Sequence, residues 1–285
     1  MDAVSAETFL TILEVGSFNR AAEVLNVTQS TVSARIRVLE EQLGRRLLSR
    51  SKSGVEATRA GQHFRPYAET VVWAWRRGCQ EVLLPDRFTR VIAVGGQFTL
   101  WDRLLLHWIP WMRKELPDVA LRAEVGTSDM LMRGVLDGFL DIAALYTPRT
   151  RSGIDIELLM EEQLVLVGTR PNVGVADPDY VHVDWGPEFA DSYGEAYVDA
   201  EMAVLTVSHG PLGLQHILDH GGAGYFPLRV VQPHITSGQL FLSSQAATFV
   251  RPIHLAYLAN RTDKRFKRAL DGLRIVASNQ NDTVG

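Results

Sequence analysis

The 285-residue sequence contains a single cysteine, Cys79. One thiol excludes an internal disulfide and any cysteine-rich metal centre. No uncharged apolar run reaches the roughly 18 residues of a transmembrane helix, so no membrane span is expected. The opening "MDAVSAETFL" has neither the basic nor the apolar block of a signal peptide, and a cytoplasmic protein is expected. Glycine-rich phosphate cradles are missing: "AVGGQF" lacks the G-x-G-x-x-G spacing, and no P-loop occurs. Positive charge is not in excess either. A net charge of −4 argues against a protein that coats nucleic acid indiscriminately, because such affinity comes from neutralising phosphates.

What is present is a composition able to build cores, 46% hydrophobic and 22% charged. The length favours about two domains. Charge is unevenly placed. Seven basic residues (Arg35, Arg37, Arg45, Arg46, Arg50, Lys52, Arg59) face three acidic ones (Glu40, Glu41, Glu56) between Arg35 and Arg59. A local basic patch suits a DNA-binding module, and a solvated surface is the alternative.

That segment continues from three predicted helices. The first covers roughly Ala6 to Glu14 and the second Asn19 to Leu25. The third follows Thr28, whose hydroxyl is placed to cap it. Val32, Ile36, Leu39 and Leu43 make one apolar stripe on this third helix. Its leading end carries Gln29, Ser30, Thr31, Ser33 and Ala34, short or flat side chains where a solvated face would carry Lys and Glu. Two helices joined tightly, the second with such an end, form a helix-turn-helix whose leading end can enter a major groove. Gln29 can pair with an adenine edge, the serines with several bases, and Ala34 with a thymine methyl. "LLSRSKSGVEAT" reads as two strands around "KSG", a wing offering Arg50 and Lys52 to phosphates.

"FLTILEVGSFNRAAEVLNVTQSTVSARIRVLEEQLGRRLLSR", followed by "TRAG", resembles the winged helix-turn-helix of LysR-type transcriptional regulators. "PYAETVVWAW", "TLWDRLLLHW" and "DWGPEF" further resemble the HdfR-like branch. Family wings usually carry Phe at Leu48, Arg at Ser53 and Leu at Ala57, so one wing contact is in doubt here. The resemblance implies a regulator that binds double-stranded promoter sites with two half-sites. Its DNA contacts would come from Thr28, Gln29, Ser30, Thr31, Ser33, Ala34, Arg37, Arg50 and Lys52. RNA polymerase is a further partner open to such a regulator.

A long helix is expected from Thr58 to about Leu84, with Pro66 kinking or delaying its start. Phe64, Ala68, Val71, Trp75 and Val82 recur at steps of four, three and seven, a heptad-like seam suited to pairing with a second copy. Packing on its own domain is the alternative. The resemblance implies a linker helix that dimerises, within a dimer or a tetramer.

Beyond "LLPDRFTR" strands and helices alternate. "VIAVGG", "VALRAEVG" and "DIAALY" read as strands of a βαβαβ unit with a parallel sheet. "QLVLVG" opens a second unit, with "MAVLTV" and "IHLAYLAN" as strands, "GPLGLQHILDH" as a helix and "GAGYFP" as a turn. A helix from Lys264 to Val276 returns to the first unit. The resemblance implies an effector-binding domain of two Rossmann-like lobes, similar to periplasmic binding proteins. The expected boundaries are a DNA-binding domain at 1–58, a linker at 59–88 and an effector domain at 89–285. Within the last, lobe 1 takes 89–160 and 262–285, and lobe 2 takes 161–261. Ligands in open α/β sheets bind beyond the carboxyl ends of strands. Gln97, Phe98, Thr99, Thr127, Ser128, Tyr146, Trp185 and Ser208 are therefore the candidate lining for a small effector, an anionic one if the helix starts set its charge. Helix capping is the competing role for the hydroxyls.

No catalytic residue, metal or cofactor is expected. His216 and His220 stand four apart on one helix, but no motif supplies a third ligand. Ser208 and His209 are neighbours without a nucleophile elbow. Two functions stay open: a ligand-regulated, sequence-specific DNA-binding regulator, or a small-molecule binder whose N-terminal module serves assembly.

Overall fold

A computed structural model of the chain describes residues 2–51, 54–198, 202–259 and 261–281. Two compact units divide at Asp86 and Arg87. No helix among the described residues is long and apolar enough to cross a membrane.

The first unit begins with α1 (Ala3–Val15), α2 (Phe18–Val24) and α3 (Gln29–Leu43). α1 starts three residues before the expected Ala6, because Asp2 caps it by accepting the Ser5 N–H at 2.7 Å. Asn26 adopts a left-handed φ of 51° in the turn that leads to α3. Phe9, Ile12, Ala21, Val32, Ile36 and Leu39 are buried together as the core of this head. The wing consists of β1 (Leu48–Ser51) and β2 (Gly54–Ala57), paired antiparallel. It is tied down at several points. Glu40 Oε1 accepts the N–H groups of Leu47 and Leu48 at 2.6 and 3.1 Å. Val55 N–H donates to the Gly16 carbonyl at 2.9 Å.

The long helix α4 (Arg59–Val82) runs through Pro66 as one element, so the proline does not delay it. Thr58 explains its start: the hydroxyl accepts the Gly61 N–H at 3.1 Å and donates to the Arg46 carbonyl at 2.7 Å. A side chain on Gly61 would place its Cβ 2.1 Å from the Leu47 carbonyl oxygen. The "TRAG" string is thus a cap followed by the one residue that lets α4 lie against the wing's backbone.

The expected dimer seam needs correction along this helix. Ala68 is fully buried in the head's own core, and Phe64 makes an edge-on contact with Phe9, ring centres 5.3 Å apart. Val71 packs partly against the same core, where Val72 is also buried. Arg76 holds Glu7 of α1 at 2.8 Å. The N-terminal half of α4 therefore completes the head, because a small three-helix head leaves apolar surface that the fourth helix covers. Trp75 and Val82 stay exposed, at 63% and 85%, with Tyr67 and Leu83.

The second unit is a mixed sheet in the order β10-β6-β11-β5-β3-β4, with β9 also paired to β6. Its strands are β3 (Arg90–Gly96), β4 (Val119–Val125), β5 (Ile142–Leu145), β6 (Ile154–Gly168), β9 (Ala223–Pro227), β10 (Phe241–Leu242) and β11 (Phe249–Leu258). β7 (Val181–Val183) and β8 (Leu205–Val207) form a small parallel pair. The expected parallel arrangement holds for β3, β4 and β5 and for the small β7–β8 pair, and not for the rest of the large sheet. β6 and β11 are antiparallel to each other over ten registered pairs, and β11 is antiparallel to β5. Helical residues 98–115 divide into α5 (Phe98–Leu100), a π turn at Trp101–Leu105 and α6 (Leu106–Glu115). The remaining helices are α7 (Ser128–Leu136), α8 (Pro187–Ala196), α9 (Gly210–His220), α10 (Leu228–Thr236) and α11 (Lys264–Asn281).

Two local readings change. "GAGYFP" is the buried strand β9 and not a turn: every residue from Ala223 to Pro227 is buried, and the strand pairs with β6. In "MAVLTV" only Leu205–Val207 is a strand, and Met202 and Val204 are exposed.

Two hydrophobic cores result. One gathers Ile92, Trp108, Ile142, Leu255 and Phe266, the other Leu166, Val183, Ile217, Tyr225 and Val231. β6 gives Met160 to the first and Leu164 to the second; β11 gives Ile253 to the first and Phe249 to the second. These two strands are shared by both lobes. In lobe 1, buried Asp141 accepts the Ala93 N–H at 2.7 Å and pairs with Arg261. Replacing Asp141 by Ala strands a partly buried guanidinium and a buried amide, and should cost about 3–5 kcal/mol. Urea unfolding followed by tryptophan emission should show a lowered midpoint at unchanged slope; an unmoved midpoint would contradict this account.

Candidate functional site

In the head, Thr28 caps α3 by accepting the Thr31 N–H at 3.2 Å, and its hydroxyl lies 2.8 Å from those of Ser30 and Thr31. Gln29 Nε2 donates to Ser33 Oγ at 2.9 Å, so the amide is already oriented along the helix face. Gln29, Ser30, Ala34 and Arg37 are exposed, while Thr31 and Ser33 are half-buried. Arg37 stands 3.9 Å from Glu41, a fully solvated pair that leaves the guanidinium free to exchange partners. Arg35 instead turns back to the Thr8 hydroxyl at 3.3 Å. Arg50 lies on β1 opposite Val55. Lys52 and Ser53 lie outside the described residues. The leading end of α3 is an exposed, uncharged hydrogen-bonding surface, with its stripe Val32, Ile36 and Leu39 buried behind it.

In the second unit three of the candidate lining residues, Gln97, Thr99 and Tyr146, meet beside the shared strands. Gln97 Oε1 accepts the Tyr146 N–H at 2.8 Å, and Thr99 Oγ1 lies 3.0 Å from the Tyr146 hydroxyl. Ser128 donates to the neighbouring Thr147 carbonyl at 2.9 Å. Phe98 crosses to the other lobe, its ring centre 4.2 Å from that of His209. Ser208, beside it, is exposed. Trp185 is buried, donates to the Tyr225 carbonyl at 2.9 Å and lies against Gly210, where any Cβ would come within 2.2 Å of the ring. Thr127 caps α7 through Met130 N–H, at 3.4 Å, which is the capping role.

Three residues that the sequence reading missed stand at the centre. Glu162 of β6 and Arg251 of β11 are register partners on the strands' inner faces, between Met160 and Leu164 and between Phe249 and Ile253. Arg229 of α10 donates through Nε to Glu162 Oε1 at 2.6 Å. It continues across to lobe 1, donating to the Thr99 carbonyl at 3.0 Å and to that of Asp102 inside the π turn. The other oxygen of Glu162 accepts the Tyr146 hydroxyl at 3.0 Å. Burial and the Glu162 charge raise the Tyr146 pKa, so the phenol stays neutral and donating. Burial works against the Arg229 charge, but Glu162 outweighs it and the guanidinium is held protonated. Charged residues inside the apolar strings "LLMEEQLVLV" and "TFVRPIHLAY" were the available signal; nothing in the sequence joins residues this far apart.

Among the described residues no group of three or more His, Cys, Asp or Glu could hold a metal, and the rings of His216 and His220 simply face each other at 5.0 Å.

Glu162→Gln removes the carboxylate that pairs with both the Arg229 and Arg251 guanidiniums and should cost about 3–5 kcal/mol. Thr127→Val, the loss of a cap, should cost about 1 kcal/mol. Denaturant titration of both variants checks the order, and a Glu162→Gln cost no larger than that of Thr127→Val would refute the central role given to the pair.

Two family models match this chain. "Bacterial regulatory helix-turn-helix protein, lysR family" covers residues 5–62, and "LysR substrate binding domain" covers residues 86–277. The chain is similar to the HTH-type transcriptional regulator HdfR of Salmonella schwarzengrund (strain CVM19633), 28% identical over 91% of this chain and 93% of that protein. HdfR of Salmonella typhimurium is equally similar, at 28% and the same coverage. Among solved structures, CbnR, a LysR family transcriptional regulator, superposes with a TM-score of 0.72 at 18% identity, covering 97% of this chain and 99% of that one. ArgP from Mycobacterium tuberculosis gives 0.62 at 22% identity, with 98% of each chain covered.

Proposed function

The chain belongs to the LysR family of DNA-binding transcriptional regulators, and from that premise we propose how it reads DNA, pairs with a second copy and is controlled. The observation that carries the reading is the leading end of α3: exposed, uncharged, and preorganised by the Thr28 and Gln29–Ser33 contacts. Gln29, Ser30, Ser33 and Ala34 read base edges in the major groove. Thr28, Thr31, Arg37, Arg50 and Lys52 serve the backbone phosphates and set the register. Held by Ser33, the Gln29 amide keeps its oxygen and one N–H for an adenine edge. A solved structure of CbnR is described as complexed with its target DNA, and it superposes on this chain with a TM-score of 0.70 at 18% identity over 97% of this chain and all of that one.

The regulator is cytoplasmic, carries out no catalysis and works as a homo-oligomer. The exposed Trp75 and Val82 on the C-terminal half of α4 are the contact with a second copy, which supplies the second head for a two-half-site operator. The division proposed is a head at 1–58, a linker helix at 59–88 whose first half packs on the head, and an effector domain at 89–285. A small effector between the lobes regulates by binding one lobe arrangement more tightly than another.

Gln29→Ala should cost about 1–3 kcal/mol at a matched site and relax preference at one base pair. Selection from random DNA with wild type and variant measures this; identical selected sequences would remove Gln29 from the reading. Wild type that enriches no sequence at all would overturn DNA reading itself, leaving a small-molecule binder whose head serves assembly. Trp75→Glu should separate the copies while leaving each head folded, since Trp75 takes no part in the head's core. Light scattering should show a smaller particle that has lost affinity for two-half-site DNA, and an unchanged oligomer would refute the seam.

A further inference from the structure

His182, His209, His234 and His254 are committed to contacts within the fold. His182 lies among the rings of Phe189 and Tyr193, and His209 packs on Phe98. His234 Nδ1 is 2.9 Å from Gln239 Oε1, and His254 Nδ1 is 3.2 Å from the Tyr146 carbonyl. His216 and His220 differ from these. They stand four residues apart on α9, so their rings rise from one face of the helix. His216 is half-buried and His220 exposed, and neither has a hydrogen-bond or ion-pair partner among the described residues. What each ring meets is the other, centre to centre 5.0 Å at 54°.

A shared metal ion would require a similar separation. A transition ion lies about 2.0–2.1 Å from a ligating imidazole nitrogen, and hence about 3.2 Å from the ring centre. Two such ligands at roughly 90–110° hold their ring centres about 4.5–5.2 Å apart. The observed 5.0 Å falls inside that range with the backbone as it stands. The surroundings also suit a cation. α9 carries no Lys or Arg, and its one charged side chain is the carboxylate of Asp219. Both rings leave the last two turns, at the negative end of the helix dipole, before the chain breaks at Gly221 with a φ of 87°.

We infer that His216 and His220 form a two-imidazole site for a divalent transition ion of the Cu²⁺, Ni²⁺ and Zn²⁺ class. Neutral imidazole nitrogens select these ions against Mg²⁺ and Ca²⁺, which take oxygen ligands. No group of three or more candidate ligands occurs among the described residues, so water fills the remaining positions. An ion held this way ties the last turn of α9 to the one before it. The site stands independently of the DNA and effector readings above.

The test is calorimetric titration of untagged, metal-free, full-length protein with Zn²⁺, and with Mg²⁺ as the control. Wild type should take one Zn²⁺ per chain and no Mg²⁺. His216→Gln and His220→Gln should each bind Zn²⁺ at least roughly tenfold more weakly, because the lost ligand acts intramolecularly. Zn²⁺ should also raise the wild-type Tm by a few degrees and leave that of either variant in place. A respaced variant, His220→Gln with Gln215→His, keeps the number of histidines but puts the second ring at a neighbouring position that does not face the first. It should bind as weakly as His220→Gln alone. No Zn²⁺ binding by wild type, wild-type affinity in either single variant, or wild-type affinity in the respaced variant would each overturn the site. One Zn²⁺ per two chains would overturn chelation within a single chain. Pulsed EPR of the wild type loaded with one equivalent of Cu²⁺ does not depend on how any variant folds. Two coordinated imidazoles support the site, and one or none overturns it.

Discussion

Glu162 stands where two hydrophobic cores meet, on a strand that belongs to both. A carboxylate there is tolerable only if its charge and both oxygens are met, and that requirement organises the second unit. Arg229 must come from α10, Tyr146 from the end of β5, and Arg251 from the partner strand. Each of these brings something with it. Arg229 carries its remaining donors to the carbonyl of Thr99 in α5 and to that of Asp102 in the π turn that follows it. Tyr146 orders Gln97 and Thr99. Arg251 lies over Tyr146 and near Trp185. Both lobes are thus referenced to one buried charge, and a change in that charge's surroundings is felt on either side.

The head depends on a different constraint, close backbone approach. Gly61 has no room for a side chain beside the Leu47 carbonyl, and Gly54, at a φ of 130°, would set a Cβ 2.8 Å from the Gly16 carbonyl oxygen. Glu40 holds the wing from α3, and Thr58 joins the wing to α4. These contacts make wing, recognition helix and long helix one body, so the exposed end of α3 is presented from a rigid frame. A rigid frame matters for base reading because bidentate contacts tolerate little misplacement.

Much of this was legible beforehand. The capping Thr28, the buried stripe Val32, Ile36 and Leu39, and the short polar end of α3 follow from local rules that act over a few residues. The strands β3, β4 and β5 and the helix α9 were legible as apolar runs and periodicities. Less legible were features whose pattern is ambiguous. "GAGYFP" has a turn's composition but is a strand, because β6 offers it a partner and the lobe-2 core buries both its faces. Phe64 and Ala68 have the spacing of a dimer seam, yet heptad spacing says only which face is apolar and not what covers it.

The sequence by itself determined the helix-turn-helix, the wing, the alternation of strands and helices, and hence the family, since capping, periodicity and turn chemistry are local. Only the tertiary structure decided which charges meet. Glu162, Arg229 and Arg251 look alike in the sequence, three polar residues in apolar strings far apart. The antiparallel register of β6 and β11 and the packing of α10 against β6 are what set two of them as a tight pair and leave the third over aromatic rings. Coulomb energy depends on separation in space and on burial, and neither is a property of separation along the chain.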